Sequence, residues 1–225
     1  MLYLGEAFKL FEKFRDPISG LTHLIGAFLS LIGMVILIKL SIFNGNSWAL
    51  FASLVFGISL ILLYTASSTY HIAKASEKVI NVLRRIDHSM IYILIAGTYT
   101  PICLLALKGK LGLTLFIIIW ALAFTGIIFN MCWFNCPRKL STLFYIIMGW
   151  LVIFFIVPII KAISINGFMW LLMGGIFYTV GGVIYALKWP KIHSKYFGFH
   201  EIFHIFVMLG SFCHFYLMFK YVMFL

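Results

Sequence analysis

HEIFHIFVMLGSFCHFYLMFKYVMFL, His200–Leu225, closes the chain, and two readings compete for it. The first five letters match H-E-x-x-H, the zinc-protease signature, in which two histidines one helical turn apart hold the metal and the glutamate serves as base. Behind them runs an apolar stretch as long as the roughly 20 residues a helix needs to cross a bilayer. If that stretch spans a membrane, the histidines open a transmembrane helix, and a soluble protease helix is the wrong frame.

The rest of the chain favours the membrane. Of its 225 residues 64% are apolar and only 10% charged, whereas charged residues make up about a quarter of soluble domains. Seven stretches qualify as spans, roughly 21–40, 48–70, 86–107, 111–131, 140–160, 168–187 and 199–219. The separators FNGNS, KASEKVINVLRR, KGK, NCPRK, SING and KWPKIHSK read as turns or polar joints. An amphipathic segment, residues 1–20, precedes a seven-helix domain over 21–225, and no small-residue cleavage site makes the first span a removable signal peptide. The expected fold is an all-α seven-transmembrane-helix bundle.

Basic residues set its expected orientation. With the N-terminus in the cytoplasm, twelve of the seventeen Lys and Arg fall inside and five (Lys39, Lys108, Lys110, Lys161 and Lys220) outside. That bias places the N-terminus in the cytoplasm and the C-terminus outside. The net charge of +11 then forms a belt suited to anionic lipid headgroups. Without a soluble basic face, nucleic acid is not an expected partner; membrane lipids are. Cys103 and Cys213 fall inside spans as small apolar residues, and Cys132 and Cys136 sit at an inner end where thiols stay reduced.

Alternation of the spans fixes depth. His71 ends span two, Asp87 opens span three, His200 and His204 open span seven, and His23 opens span one, all at one face of the membrane. Taken singly each has a bland reading. His200 and His204 fit an interfacial and a buried histidine, Asp87 a partner for Arg84 or for the positive end of its helix, and His71 an interfacial group. His23 reads as structural, and His88 and His193 as surface groups. His214 lies ten residues past His204, about 15 Å deeper, as a packed polar residue. Ionisable groups in a membrane nevertheless face the bundle interior and mark function.

A metal makes chemical sense of the set. Residues four apart share a helical face, so His200 and His204 offer two nitrogens to one ion, and His71 supplies a third. Three protein ligands with a fourth position for water is the arrangement of catalytic zinc. Asp87 would offset the ion's charge and serve as base, and Ser67, one turn before His71, would hold Asp87 or the water. The protease reading fails on spacing. The extended motif needs glycine and histidine where Val207 and Gly210 stand, and no acidic residue follows Glu201. Glu201 ranks behind Asp87 as the base.

SSTYH (67–71), IDHSMIYILIAGTYTP (86–101), GGVIYALKWP (181–190) and HEIFH, together with THLIG from Thr22, resemble the haemolysin III family. That family is the bacterial branch of the progestin and adipoQ receptor proteins, which include the adiponectin receptors. The resemblance covers nearly the whole chain. It implies a seven-helix bundle in the bacterial cell membrane with zinc near the cytoplasmic side, its ligands falling on His71, His200 and His204, its aspartate on Asp87 and its serine on Ser67. Three functions are then in view: a zinc-dependent hydrolase of lipid amides or esters, a non-enzymatic regulator of membrane lipid homeostasis and fluidity, and the cytolysis in the family's name. Strongly apolar helices with few pore-lining charges make a poor pore.

Overall fold

The computed structural model describes residues 14–133, 136–192, 194 and 197–225. His193, Lys195 and the first thirteen residues, on which part of the basic count and the amphipathic segment rest, lie outside the described residues. What is described is helical: α1 Pro17–Phe43, α2 Ser47–Ile72, α3 Glu77–Pro101, α4 Gly109–Cys132, α5 Arg138–Trp150, α6 Ile156–Leu187 and α7 Phe199–Leu217. Short π-helical turns extend α3 over Ile102–Ala106 and α7 over Met218–Val222, and a 3-10 turn, Leu151–Phe155, joins α5 to α6.

Local chemistry sets the ends. Pro17 begins α1, where its missing N–H is no loss. Gly45 turns the chain at φ 61°, and Asn46 then caps α2 by accepting from the Ala49 N–H at 3.0 Å. The α3 helix starts at Glu77, not near Ile86 as hydropathy suggested. The charged stretch EKVINVLRR is made largely of good helix formers, so it ends the apolar run without ending the helix. Likewise α1 already includes Pro17–Gly20, which the sequence assigned to the N-terminal segment.

Six of these segments are long and apolar enough to cross a membrane. The expected fifth and sixth spans fall in a single helical segment, Arg138–Leu187, 50 residues long. Within it Ser164 sits at φ 63° and ψ 169°, outside helical space. On either side the two limbs run back along each other. Arg138 Nη1 donates to the Tyr185 carbonyl at 3.3 Å, the Thr142 methyl lies against Gly182, and Trp150 Nε1 donates to Thr179 Oγ1 at 2.9 Å.

Apolar side chains cover the outer face as well as filling the core, where Leu37, Phe56, Ile119 and Ile159 are buried. Large apolar side chains such as Phe28, Phe43 and Phe154 are exposed, whereas Ala49, Ala52, Ser53, Ser59, Ser67 and Ser68 are buried. In lipid, association relies on close backbone approach and polar contacts between helices, which small residues permit. The α1–α2 contact shows it. A Cβ on Gly20 would stand 2.6 Å from Ile72, and one on Gly26 2.9 Å from the Tyr64 ring. This approach carries the start of α1 onto the end of α2. Around the bundle, α2 packs on α3, α3 on α4, α6 on α7, and α7 closes against α1.

Candidate metal centre

His71 lies in the last turn of α2 and His200 and His204 in the first turns of α7. His71 and His204 are buried, and one ring nitrogen from each of the three falls within 4.8 Å of the others. His71 Nε2 faces His200 Nε2 at 3.1 Å. The ring centroids of His204 stand 5.1 Å from His71 and 4.6 Å from His200. Two nitrogens on one tetrahedral zinc are separated by about 3.3 Å, given bonds of about 2.0–2.1 Å. The group could hold a metal ion.

The protons on the far side of the rings support that fit. His71 Nδ1 lies 3.1 Å from Asp16 Oδ2. An ionised carboxylate only accepts, so Nδ1 carries the proton and Nε2 keeps its lone pair for a ligand. The hydrogen bond from His71 holds the Asp16 carboxyl down at about 2, against the pull of burial and with help from Arg15. Thr22 does for His204 what Asp16 does for His71. Its hydroxyl donates to the Ser19 carbonyl at 2.9 Å, so its oxygen is left to accept from His204 Nδ1 at 3.3 Å. Metal-binding histidines characteristically donate their other N–H to a carboxylate or carbonyl oxygen, which fixes tautomer and ring orientation.

Neither Asp16 nor Thr22 was singled out from the sequence. Both sit at the start of the first span, at the depth already assigned to the histidines, so span alternation would have admitted them as candidates. His23 was placed at that depth and read as structural. Its buried ring stacks on His204 at 3.6 Å between centroids and meets Tyr64 edge-on at 5.0 Å.

Asp87 is buried on α3 and faces the Ser67 hydroxyl, with His71 and Arg15 the nearby positive or ionisable groups. It stands beside the histidine trio without being one of its members. Glu201, the fallback base, is otherwise engaged. One oxygen accepts from the Gly198 N–H at 2.7 Å and the other from the Ser19 hydroxyl. Its carboxylate therefore starts α7 and ties it to α1, which positions His200 and His204. His88 is not the surface group expected; it is half-buried between α3 and α6, with Nε2 3.3 Å from the Tyr185 hydroxyl. His214 is buried against Tyr178, well away from the trio, as its depth implied.

Fold and site define a multi-pass helical membrane protein with a buried histidine trio able to take a metal ion. A profile of the Haemolysin-III related family matches residues 11–215, and the chain belongs to that family. It is similar to the Hemolysin-3 homolog of Bacillus subtilis (strain 168), 41% identical over 202 residues that cover 90% of this chain and 92% of the relative. Hemolysin-3 of Bacillus cereus is 43% identical over 205 residues, 91% of this chain and 90% of its own. A more distant likeness, 25% over 235 aligned positions and 96% and 93% of the two chains, links it to the Homo sapiens monocyte to macrophage differentiation factor.

Proposed function

We propose that this chain binds one zinc ion through His71, His200 and His204 and acts on membrane lipids as a hydrolase of amides or esters. The observation that carries the reading is the trio itself, with the Nδ1 protons of His71 and His204 directed away onto Asp16 and Thr22. Three imidazoles and no thiolate suit zinc in its catalytic form. Zinc held there would polarise a carbonyl and lower the pKa of water to about 7.

The protein's own groups do the rest. Asp87 takes the proton of the attacking water and returns it to the leaving group, and Ser67 holds the Asp87 carboxylate in place. Burial of the site among α1, α2, α3 and α7 keeps bulk water away, and the bilayer delivers the substrate. The proposed topology is seven passes with the N-terminus cytoplasmic and the C-terminus outside. The positive-inside bias supports that orientation, and the antiparallel limbs about Ser164 support counting the 50-residue segment as two passes.

The test is release of fatty acid from long-chain amides and esters by purified protein in liposomes, with and without a zinc chelator. Chelator-sensitive release supports the hydrolase. One observation favours a second reading, in which the protein regulates membrane lipid composition without turnover. The ligands and their hydrogen-bond partners come from α1, α2 and α7, so zinc would clamp three helices and couple metal occupancy to bundle packing. A zinc-loaded protein with no release across a broad lipid panel, in cells whose lipid order shifts when it is lost, would favour that regulator. The names of the Bacillus relatives point to lysis, a third and weaker reading for a bundle whose outer face is so strongly apolar.

A further inference from the structure

His23, in the second turn of α1, is buried, and neither of its ring nitrogens has a hydrogen-bond partner among the described residues. No other described histidine has both nitrogens buried in that state. The imidazoles beside it are answered: His71 Nδ1 meets Asp16 and His204 Nδ1 meets Thr22. What holds His23 is contact between rings. It lies parallel on His204, 3.6 Å between centroids and 9° between planes, and meets the Tyr64 ring at 5.0 Å and 76°. The Tyr64 hydroxyl donates to Ser211 at 2.7 Å, which commits its proton elsewhere. The ring of His23 is thus fixed by packing, and its polar edge is left over.

A buried polar group without a partner is rare in a folded protein and calls for a ligand, an ordered water or a catalytic role. The surroundings select among these. The ionisable groups around His23 are His71, His200 and His204, the whole trio. His23 is not a fourth ligand of the same ion. A metal lies along the lone pair of its nitrogen, in the plane of that ring; the His23 and His204 planes run side by side, so one ion cannot lie in both. A neutral imidazole so placed keeps an N–H donor beside the trio and outside its ligand set.

We propose that His23 is a catalytic hydrogen-bond donor, its ring N–H taking the carbonyl oxygen of the lipid amide or ester brought to the trio. A fixed donor aimed at the oxygen on which charge develops stabilises the transition state without reorganising. Asp87 then handles the proton of the attacking water, and His23 steadies the oxygen. This inference rests on the hydrolase reading above and adds a residue to it. Binding of a small probe tests the contact without turnover.

The experiment uses the full chain in neutral detergent with cobalt in place of zinc, so that visible absorption reports what joins the metal. Two probes are titrated: acetohydroxamate, which presents a carbonyl oxygen, and ethanethiol, whose sulfur is a weak acceptor. His23→Phe keeps an aromatic ring against His204 and Tyr64 and removes both nitrogens. It should bind cobalt as the wild type does, weaken acetohydroxamate by about five- to tenfold, the worth of one hydrogen bond, and leave ethanethiol unchanged. His23→Leu, smaller and equally without a donor, should show the same loss should the larger ring prevent folding. His23→Gln, which retains an N–H, should lose less. Acetohydroxamate affinity unchanged in the donor-free variants overturns the proposal. Equal weakening of both probes overturns it by showing a reshaped site, and loss of cobalt does so by making His23 a support of the metal. Cobalt bands that neither probe shifts in the wild type leave no place for the carbonyl and overturn it as well. A wild type that takes up no cobalt fails the metal reading and this inference together. The expected probe selectivity in a protein that turns over no lipid would uphold the contact and fail the hydrolase reading alone.

Discussion

Asp16 and His71 are joined twice: the Asp16 N–H donates to the His71 carbonyl at 2.9 Å, and His71 Nδ1 donates to the Asp16 carboxylate at 3.1 Å. The start of α1 and the end of α2 are thereby locked in one register, and the imidazole that heads the trio is fixed in one tautomer. Asp16→Asn can keep the fold but replaces an ionised acceptor by a neutral amide. Metal affinity should fall by about 10- to 100-fold, as for other outer partners of metal-binding histidines. Competition with a calibrated chelator measures it. Thr22→Val should act in the same direction through His204, and unchanged affinity in both variants would show that neither partner tunes the site.

The trio itself should behave as a unit. Alanine at His71, His200 or His204 should lower zinc content and thermal stability together, because a metal bound only by the folded state stabilises it by linkage. His214→Ala should keep its zinc, since that ring packs on Tyr178 and Gly174 away from the group. Elemental analysis with a thermal melt on each variant decides the matter. Zinc lost from His214→Ala and kept by the other three would make the assignment wrong.

Asp87→Asn should leave zinc in place and remove the base. General-base assistance is worth about 10²- to 10⁴-fold, so fatty-acid release from amides or esters should drop below detection. Glu201→Gln should behave differently. Its carboxylate accepts from the Gly198 N–H and the Ser19 hydroxyl, so the loss expected is stability, about 0.5–2 kcal/mol as for a helix cap, with turnover retained. Full activity in Asp87→Asn would remove Asp87 from the mechanism.

Sidedness is open to a direct check. Single cysteines at the Lys191 and Lys108 positions should label from opposite faces of the membrane, with 191 cytoplasmic. Labelling of both from one face would contradict the proposed seven passes.

Hydropathy alone made the class of protein plain, and it located the apolar runs to within a few residues. It erred where charge and helix propensity part company, as in the nine residues before Ile86 that belong to α3. His88, read as a surface group, is instead covered by Tyr185 on the returning limb of α6. A reversal at one non-glycine residue, Ser164, leaves little trace in a hydropathy pattern, although the SING stretch marked the place.

What the sequence determined by itself was depth. Each crossing of a bilayer returns the chain to the other face, so counting spans was enough to bring His23, His71, Asp87, His200 and His204 to one level. The i, i+4 spacing put His200 and His204 on one side of α7. Which other side chains meet them at that level is a question of rotation about each helix axis, and only tertiary packing answers it. Close approach of α1 to α2 at Gly20 and Gly26 turns Asp16, Thr22 and His23 toward the trio, and Ser19 toward Glu201. Those contacts depend on how small residues of two helices nest, an interaction between distant segments that neither helix encodes alone.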